Sequence, residues 1–215
     1  MKILIRTLGI TLLCVGAGIA TAQTQISFDE ATRLPEGWES GITGKGVAKW
    51  EVIADDTAPS PPNALRQSGE ATFCWAAKTD ERIKNGFAEV KFKPLSGNED
   101  QAGGLVFRFK DANNYYVVRA NALEDNVVLY KTVKGKRSSL KVKGRLVGYG
   151  VDVHVPKDKW STLHVEFKDN LFPVFFNGRK LFEVEDETFS DAGAVGVWTK
   201  ADSVILFDDF RYGTK

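Results

Sequence analysis

A period of two in the side chains leaves this chain few architectures to choose from. From Phe87 to Lys93, Gly104 to Lys110, Tyr115 to Asn121 and Asn126 to Lys131, aromatic and β-branched residues form short runs, each bounded by turn formers. The pattern returns over Ser161 to Phe167, Pro173 to Phe176, Lys180 to Val184, Ala194 to Thr199 and Ser203 to Arg211. After residue 23 no stretch shows the 3.6-residue period of an amphipathic helix. Asp111-Ala112-Asn113-Asn114, Lys134-Gly135-Lys136 and Asn177-Gly178 separate neighbouring runs, and Asn-Gly favours a tight hairpin because both residues tolerate positive φ. Many antiparallel strands at short spacing, with almost no helix between them, predict a sandwich or a barrel.

The first 22 residues stand outside that pattern. Lys2 and Arg6 precede an apolar stretch from Leu8 to Ile19, and Ala20-Thr21-Ala22 offers the small side chains of a cleavage site, so the reading is an export signal over 1–22 cut before Gln23. The mature unit is then one domain, 23–215, placed outside the cytoplasm, secreted or periplasmic, with no membrane attachment after the signal is removed. The stiff segment Ala58-Pro59-Ser60-Pro61-Pro62-Asn63 is a rigid surface loop, not a linker between domains. Losing Lys2 and Arg6 takes the 29 basic side chains to 27 against 28 acidic ones, a net of −1. Such a balance offers no general attraction for a phosphate backbone, and no nucleic-acid partner is expected. Cys74 is left without a second cysteine, in the setting of a small buried residue on a strand.

Catalytic and metal-binding motifs are sparse. Neither Gly-x-Ser-x-Gly nor His-Glu-x-x-His occurs, and His154 and His164 both sit where apolar neighbours claim the inward face. Gly41-Ile42-Thr43-Gly44-Lys45-Gly46 lacks the spacing of a phosphate loop and reads as a glycine-rich turn. Several segments together resemble concanavalin A-like lectin/glucanase jelly rolls: Leu34 to Trp38, Ala58 to Asn63, Gly103 to Arg108, Asp111 to Arg119, Gly193 to Asp202 and Phe207 to Phe210. The chain is most similar to secreted bacterial domains of this class grouped with the 3-keto-disaccharide hydrolases and family-16-like glycoside hydrolases. The resemblance implies an all-β jelly-roll sandwich of two curved antiparallel sheets, with sugars bound on the concave face or at its rim.

Two functions follow from that resemblance, and a third from the fold alone. Hydrolysis needs paired carboxyl groups, and Glu183-Val184-Glu185-Asp186-Glu187 is the nearest run to the alternating acids of true family-16 enzymes; its middle acid is Glu instead of Asp, and a solvated strand end accounts for it better. With Asp202, these acids are the tools of the hydrolase alternative. Binding of a glycan or glycoconjugate needs flat aromatic faces beside planar polar groups. Alternation from the core positions Phe107, Tyr116 or Val118, and Leu129 leaves Arg108, Arg119, Asn121 and Tyr130 on the opposite face. The resemblance brings Trp198, Lys200 and Asp202 near the same sheet. Arginines facing a core would be costly unless paired, so this face is either a ligand face or an outer face on which the arginines pair with Glu124, Asp125 or Glu183. The remaining alternative is a protein-interaction domain. Jelly-roll sugar-binding modules also clamp their chain ends with calcium, for which Asp29 and Glu30 could meet Asp208 or Asp209, although paired acids at a strand end are commonly just solvated.

Overall fold

The alternation becomes sixteen strands, with no helix among the described residues, in a computed structural model that describes residues 23–29, 33–146 and 148–215. The export-signal reading of 1–22 lies outside these residues. Sheet A contains β1 (Gln23–Ile26), β3 (Trp50–Ala54), β4 (Asn63–Gln67), β6 (Gly86–Ser96), β12 (Ser161–Phe167), β13 (Leu171–Phe176), β14 (Arg179–Glu185) and β16 (Val204–Thr214). They run in the order β14-β13-β12-β6-β16-β4-β3, with β1 paired to β16. Sheet B contains β2 (Trp38–Val47), β5 (Glu70–Ile83), β7 (Ala102–Asp111), β8 (Asn114–Asn121), β9 (Asn126–Val133), β10 (Lys136–Ser139), β11 (Val151–Asp152) and β15 (Gly193–Ala201). Its order is β10-β9-β8-β7-β15-β5-β2, with β11 paired to β9. The neighbouring strands pair antiparallel, and the chain has the concanavalin A-like β-sandwich fold.

The alternate side chains that face between the sheets form one core from Phe28 to Tyr212. Phe107 of sheet B stacks on Phe167 of sheet A at 5.2 Å between centroids and meets Phe172 edge-on at 5.2 Å. Burying such rings is the main favourable term that holds the layers together. Cys74 is buried on β5, as its neighbours imply, and burial pushes its thiol up to about 11.

Sheet B also buries its other face. Thr43 on β2 and Tyr115 on β8 are separated by three intervening strands, about 19 Å along a flat sheet. Yet their hydroxyl oxygens are 2.9 Å apart, and Thr43 Oγ1 also donates to the Ala112 carbonyl in the β7–β8 turn. The sheet therefore curls until its edge meets that turn, and the inside of the curl holds a second apolar layer that includes Phe73, Trp75, Val106, Phe109, Tyr115, Val117, Tyr130 and Trp198. Glycines permit the tight fit. A Cβ on Gly41 would stand 2.5 Å from the Trp75 ring. The segment 41–46, expected as a turn, lies within β2, where a register shift between Thr43 and Gly46 absorbs the extra residues at the positive φ of Gly44 and Gly46.

At the chain ends, Asp208 and Asp209 on β16 tie the β3–β4 loop and β1 to sheet A. Asp208 accepts from the backbone N–H of Ser60 and of Asp209, both at 2.7 Å. Asp209 accepts from Gln25 Nε2 at 3.0 Å, Ser60 Oγ at 2.6 Å and Lys91 Nζ at 2.7 Å. Of the acids expected to clamp calcium, Glu30 lies outside the described residues, and Asp29 has a buried Oδ1 with no partner. Among the described residues no group of three His, Cys, Asp or Glu is placed to hold a metal ion. The ammonium of Lys91 is the counter-charge of Asp209, while Asp208 is held by backbone N–H donors.

Burial, with the charges of Asp209 and Asp29 beside it, pushes the Asp208 carboxyl up to about 6, whereas two backbone N–H donors act in the opposite direction. The folded state therefore holds this proton more tightly than the unfolded chain does. The contribution of Asp208 to stability should fall as pH rises from about 4 to about 6, by at most about 1.4 kcal/mol per pH unit, and level off above that range. Thermal unfolding of Asp208→Asn should lack this slope, so that the variant gains on the parent across the window. Parallel stability curves for the two proteins would contradict the assignment.

Candidate functional site on the curled face of sheet B

Cross-strand register decides which side chains share the inside of the curl. Gly104 faces Arg119 on one side and Trp198 on the other, Trp198 faces Trp75, and Trp75 faces Gly41. On the far side, Asn121 faces Asn126, Val117 faces Tyr130, Tyr130 faces Ser139 and Thr132 faces Arg137. Lys200 faces Phe73. Arg119, Asn121 and Tyr130 thus share one surface, as alternation predicts, with Trp198 and Lys200, which the resemblance placed near the same sheet.

Four of them are joined by polar contacts. The guanidinium of Arg119, fully buried, donates to Glu124 Oε2 at 2.8 Å, Tyr130 OH at 3.0 Å, Tyr149 OH at 3.1 Å and Asn126 Oδ1. Asn121 Nδ2 donates to Asp100 Oδ1 at 2.7 Å and Glu124 Oε1 at 3.1 Å, and Lys200 Nζ donates to Asp100 Oδ2. Arg119 and Lys200 thus each meet an acidic partner, as burial of charge demands. Burial opposes ionisation of Glu124, but Arg119 and Asn126 outweigh it and hold the carboxyl below its ordinary range. Burial keeps the Tyr130 phenol neutral, well above its ordinary value.

The floor of the face is filled, not open. Trp198 and Tyr115 are fully buried, Trp198 lies 5.2 Å from Phe73, and Arg137 covers the rings: its guanidinium carbon is 4.2 Å from the Tyr130 centroid, 4.7 Å from Phe73 and 5.5 Å from Trp198. Access is along the rim. Tyr149 is 47% exposed, set edge-on to Tyr130 with 5.9 Å between centroids, and its hydroxyl also contacts that of Tyr130. Beside Phe73 and Lys200 a cleft of about 520 Å³ opens, lined also by Lys45, Val47, Thr72 and Glu99.

Two of the sequence-derived candidates lie apart. Arg108 has φ of 45° at a register shift on β7, and this irregularity brings Phe109 into the layer inside the curl while Arg108 turns to the end of the sandwich. There it donates to the carbonyls of Lys84, Phe189 and Asp169, over the ring of Phe172. Asp202 accepts backbone N–H bonds from Asn98 at 2.6 Å, Asp100 at 3.0 Å and Glu99 at 3.1 Å, so it shapes the loop that carries Asp100. Sequence reasoning missed Asp100, Arg137 and Tyr149 as members of the site and offered Glu124 only as a pairing partner of the arginines, which it is for Arg119. The turn at Lys134 and Gly135 could have revealed Arg137, because a two-residue hairpin fixes Arg137 opposite Thr132. Asp100 and Tyr149 lie outside the strands, where no period marks them.

The acidic run expected for hydrolysis lies elsewhere. Glu183 is 3.7 Å from Lys143 and 2.6 Å from Lys180, and Lys180 holds its carboxyl below the usual range. Glu185 also pairs with Lys143, Asp186 accepts from Tyr116 OH at 2.6 Å and Lys131 at 2.8 Å, and Glu187 accepts from Asn170. The two histidines lie apart: His154 is exposed beside Asp125 in the segment after β11, and His164, on β12, lies half-buried between Glu89 and Glu166.

Comparison with known proteins adds the fold. No family model and no curated protein matches the chain. Among solved structures, the carbohydrate-binding module CBM66 from Bacillus subtilis is 19% identical, with a TM-score of 0.65 over 83% of this chain and 96% of that one. The cellulose induced protein Cip1 is 11% identical, with a TM-score of 0.64 over 89% and 97%. A prokaryotic beta-1,3-1,4-glucanase (lichenase) derived from a mouse hindgut metagenome is 11% identical, with a TM-score of 0.54 over 89% and 98%. At these identities the likeness establishes a shared fold.

Arg108 acts as a structural pin in this geometry. Arg108→Met removes a charged donor from three main-chain carbonyls, that of Phe189 in a buried bond, and should cost about 2 kcal/mol of folding stability in denaturant titration. A loss below about 1 kcal/mol would show that those carbonyls find other partners.

Proposed function

We propose that this chain is an extracytoplasmic glycan-binding β-sandwich whose ligand lies along the rim of the curled face of sheet B. The observation that carries the reading is the convergence of Arg119, Asn121, Tyr130 and Lys200, through Glu124 and Asp100, under the exposed ring of Tyr149. A sugar needs an aromatic surface for its C–H face and fixed planar groups for its hydroxyls, and this rim offers the loop residue Tyr149 for the first and strand-borne groups for the second. The likeness in fold to a carbohydrate-binding module supports the reading. Placement outside the cytoplasm rests on the signal-like sequence of 1–22.

Binding is favoured over hydrolysis by the state of the acids. A glycosidase needs one carboxyl that keeps its proton near the scissile bond and a second that is free to act as nucleophile or base. On this face Glu124 is bonded to Arg119, Asn121 and Asn126, and Asp100 to Asn121 and Lys200. Both carboxylates act as fixed struts for the donors around them.

Tyr149 gives the cleanest test, because it is exposed and its removal spares the core. With a polysaccharide panel in titration calorimetry, the parent protein should bind at least one glycan. Tyr149→Ala should weaken that binding about tenfold, about 1.4 kcal/mol, and Tyr149→Phe, which keeps the ring, should weaken it less. A parent protein that binds no glycan, or equal affinity for the parent and Tyr149→Ala, would overturn the proposal.

A further inference from the structure

The hydrogen-bonding capacity left free on the curled face is almost all of one kind. Buried and unpartnered there are Arg137 Nη1, Arg119 Nε and Trp75 Nε1, which can only donate. The acceptors are taken. Glu124 serves Arg119, Asn121 and Asn126, and Asp100 serves Asn121 and Lys200, with Glu99 also 3.7 Å from Lys200.

Charge follows the same asymmetry. Arg119 and Arg137 both lie within 6 Å of the Tyr130 ring, at 5.7 Å and 4.2 Å from its centroid. Arg119 has Glu124 as its counter-charge. Arg137 forms no salt bridge with any described residue, and the neutral rings of Phe73, Tyr130 and Trp198 are what it touches. Cation–π contact holds such a group in place, but it leaves an amino group with no acceptor and a charge with no counterion.

We propose that the glycan bound at this rim carries an acidic group, a carboxylate or a sulfate ester, which Arg137 receives while the sugar ring rests against Tyr149. The inference rests on the glycan-binding reading above and narrows it to anionic saccharides. A guanidinium offers two parallel N–H donors to a carboxylate or sulfate, and its fixed fork is the best match among side chains for either group. The rings beneath Arg137 set the plane of that fork.

Matched pairs of ligands separate charge from sugar. Dissociation constants at low salt would be measured for oligogalacturonate against its methyl ester and for dextran sulfate against dextran. The charged member of at least one pair should bind at least tenfold more tightly and lose that advantage as salt is raised. A preference in the first pair identifies a carboxylate, and one in the second a sulfate ester. Arg137→Met, which keeps the aliphatic stem over the rings, should abolish the preference, and Arg137→Lys should retain part of it. A thermal midpoint close to the parent's would show that both variants fold. Equal affinity for charged and neutral members, or a preference that survives in Arg137→Met, would overturn the inference. Binding of neutral glycans lost in Tyr149→Ala would then leave the broader reading standing, whereas no binding of any saccharide would remove both.

Discussion

The curl of sheet B is the constraint on which the rest of this structure depends. A sheet in a sandwich ordinarily buries one face and leaves the other in water, but here contact of Thr43 with Tyr115 and with the Ala112 carbonyl closes the second face over its own side chains. Phe73, Trp75, Tyr115 and Trp198 are consequently buried although they point away from the main core. Any polar group in the same layer has to find a partner there or accept the cost of desolvation. The Arg119, Glu124 and Asn126 cluster and the Lys200, Asp100 and Asn121 cluster meet that demand with side chains. Arg137 meets it with rings, and so remains the group with capacity to spare.

The same rule separates groups that fix the scaffold from groups able to meet a ligand. Arg108 is as deeply buried as Arg119, yet its guanidinium is used on main-chain carbonyls of three segments. Asp202 is likewise spent on the backbone of the loop that aims Asp100. Lysines neutralise the acids on and beside β14, where side chains point to solvent and ion pairs add little to stability. Around the curl, by contrast, strands hold planar polar groups in fixed register, with the aromatic ring of Tyr149 beside them, which is what recognition of a polyhydroxylated ring requires.

Much of this was legible before any coordinates. Alternation in 102–133 and 193–214 identifies the central strands, because buried aromatic and β-branched residues recur at every second position there. It also places Arg119, Asn121 and Tyr130 together, since each is an even number of residues from a neighbour on the same face. It fails at Arg108, where one residue at positive φ breaks the period without a glycine to announce it. The burial of Trp198 escapes local reading for a different reason: it depends on the closure of β2 onto a turn about seventy residues further along the chain, a tertiary event that leaves no mark on the β15 sequence. The concave face is therefore filled by side chains, and Tyr149 is exposed at its rim.

Resonance-by-resonance mapping tests this account most directly. On titration of the isotope-labelled protein with a bound oligosaccharide, the amide, indole and guanidinium signals that move should be those of Tyr149, Arg137, Arg119, Trp198 and Lys200, with little change on the outer face of sheet A. Shifts centred instead on His164, Phe175 and Glu89 would place the ligand on the opposite side of the sandwich and contradict the assignment of the curled face.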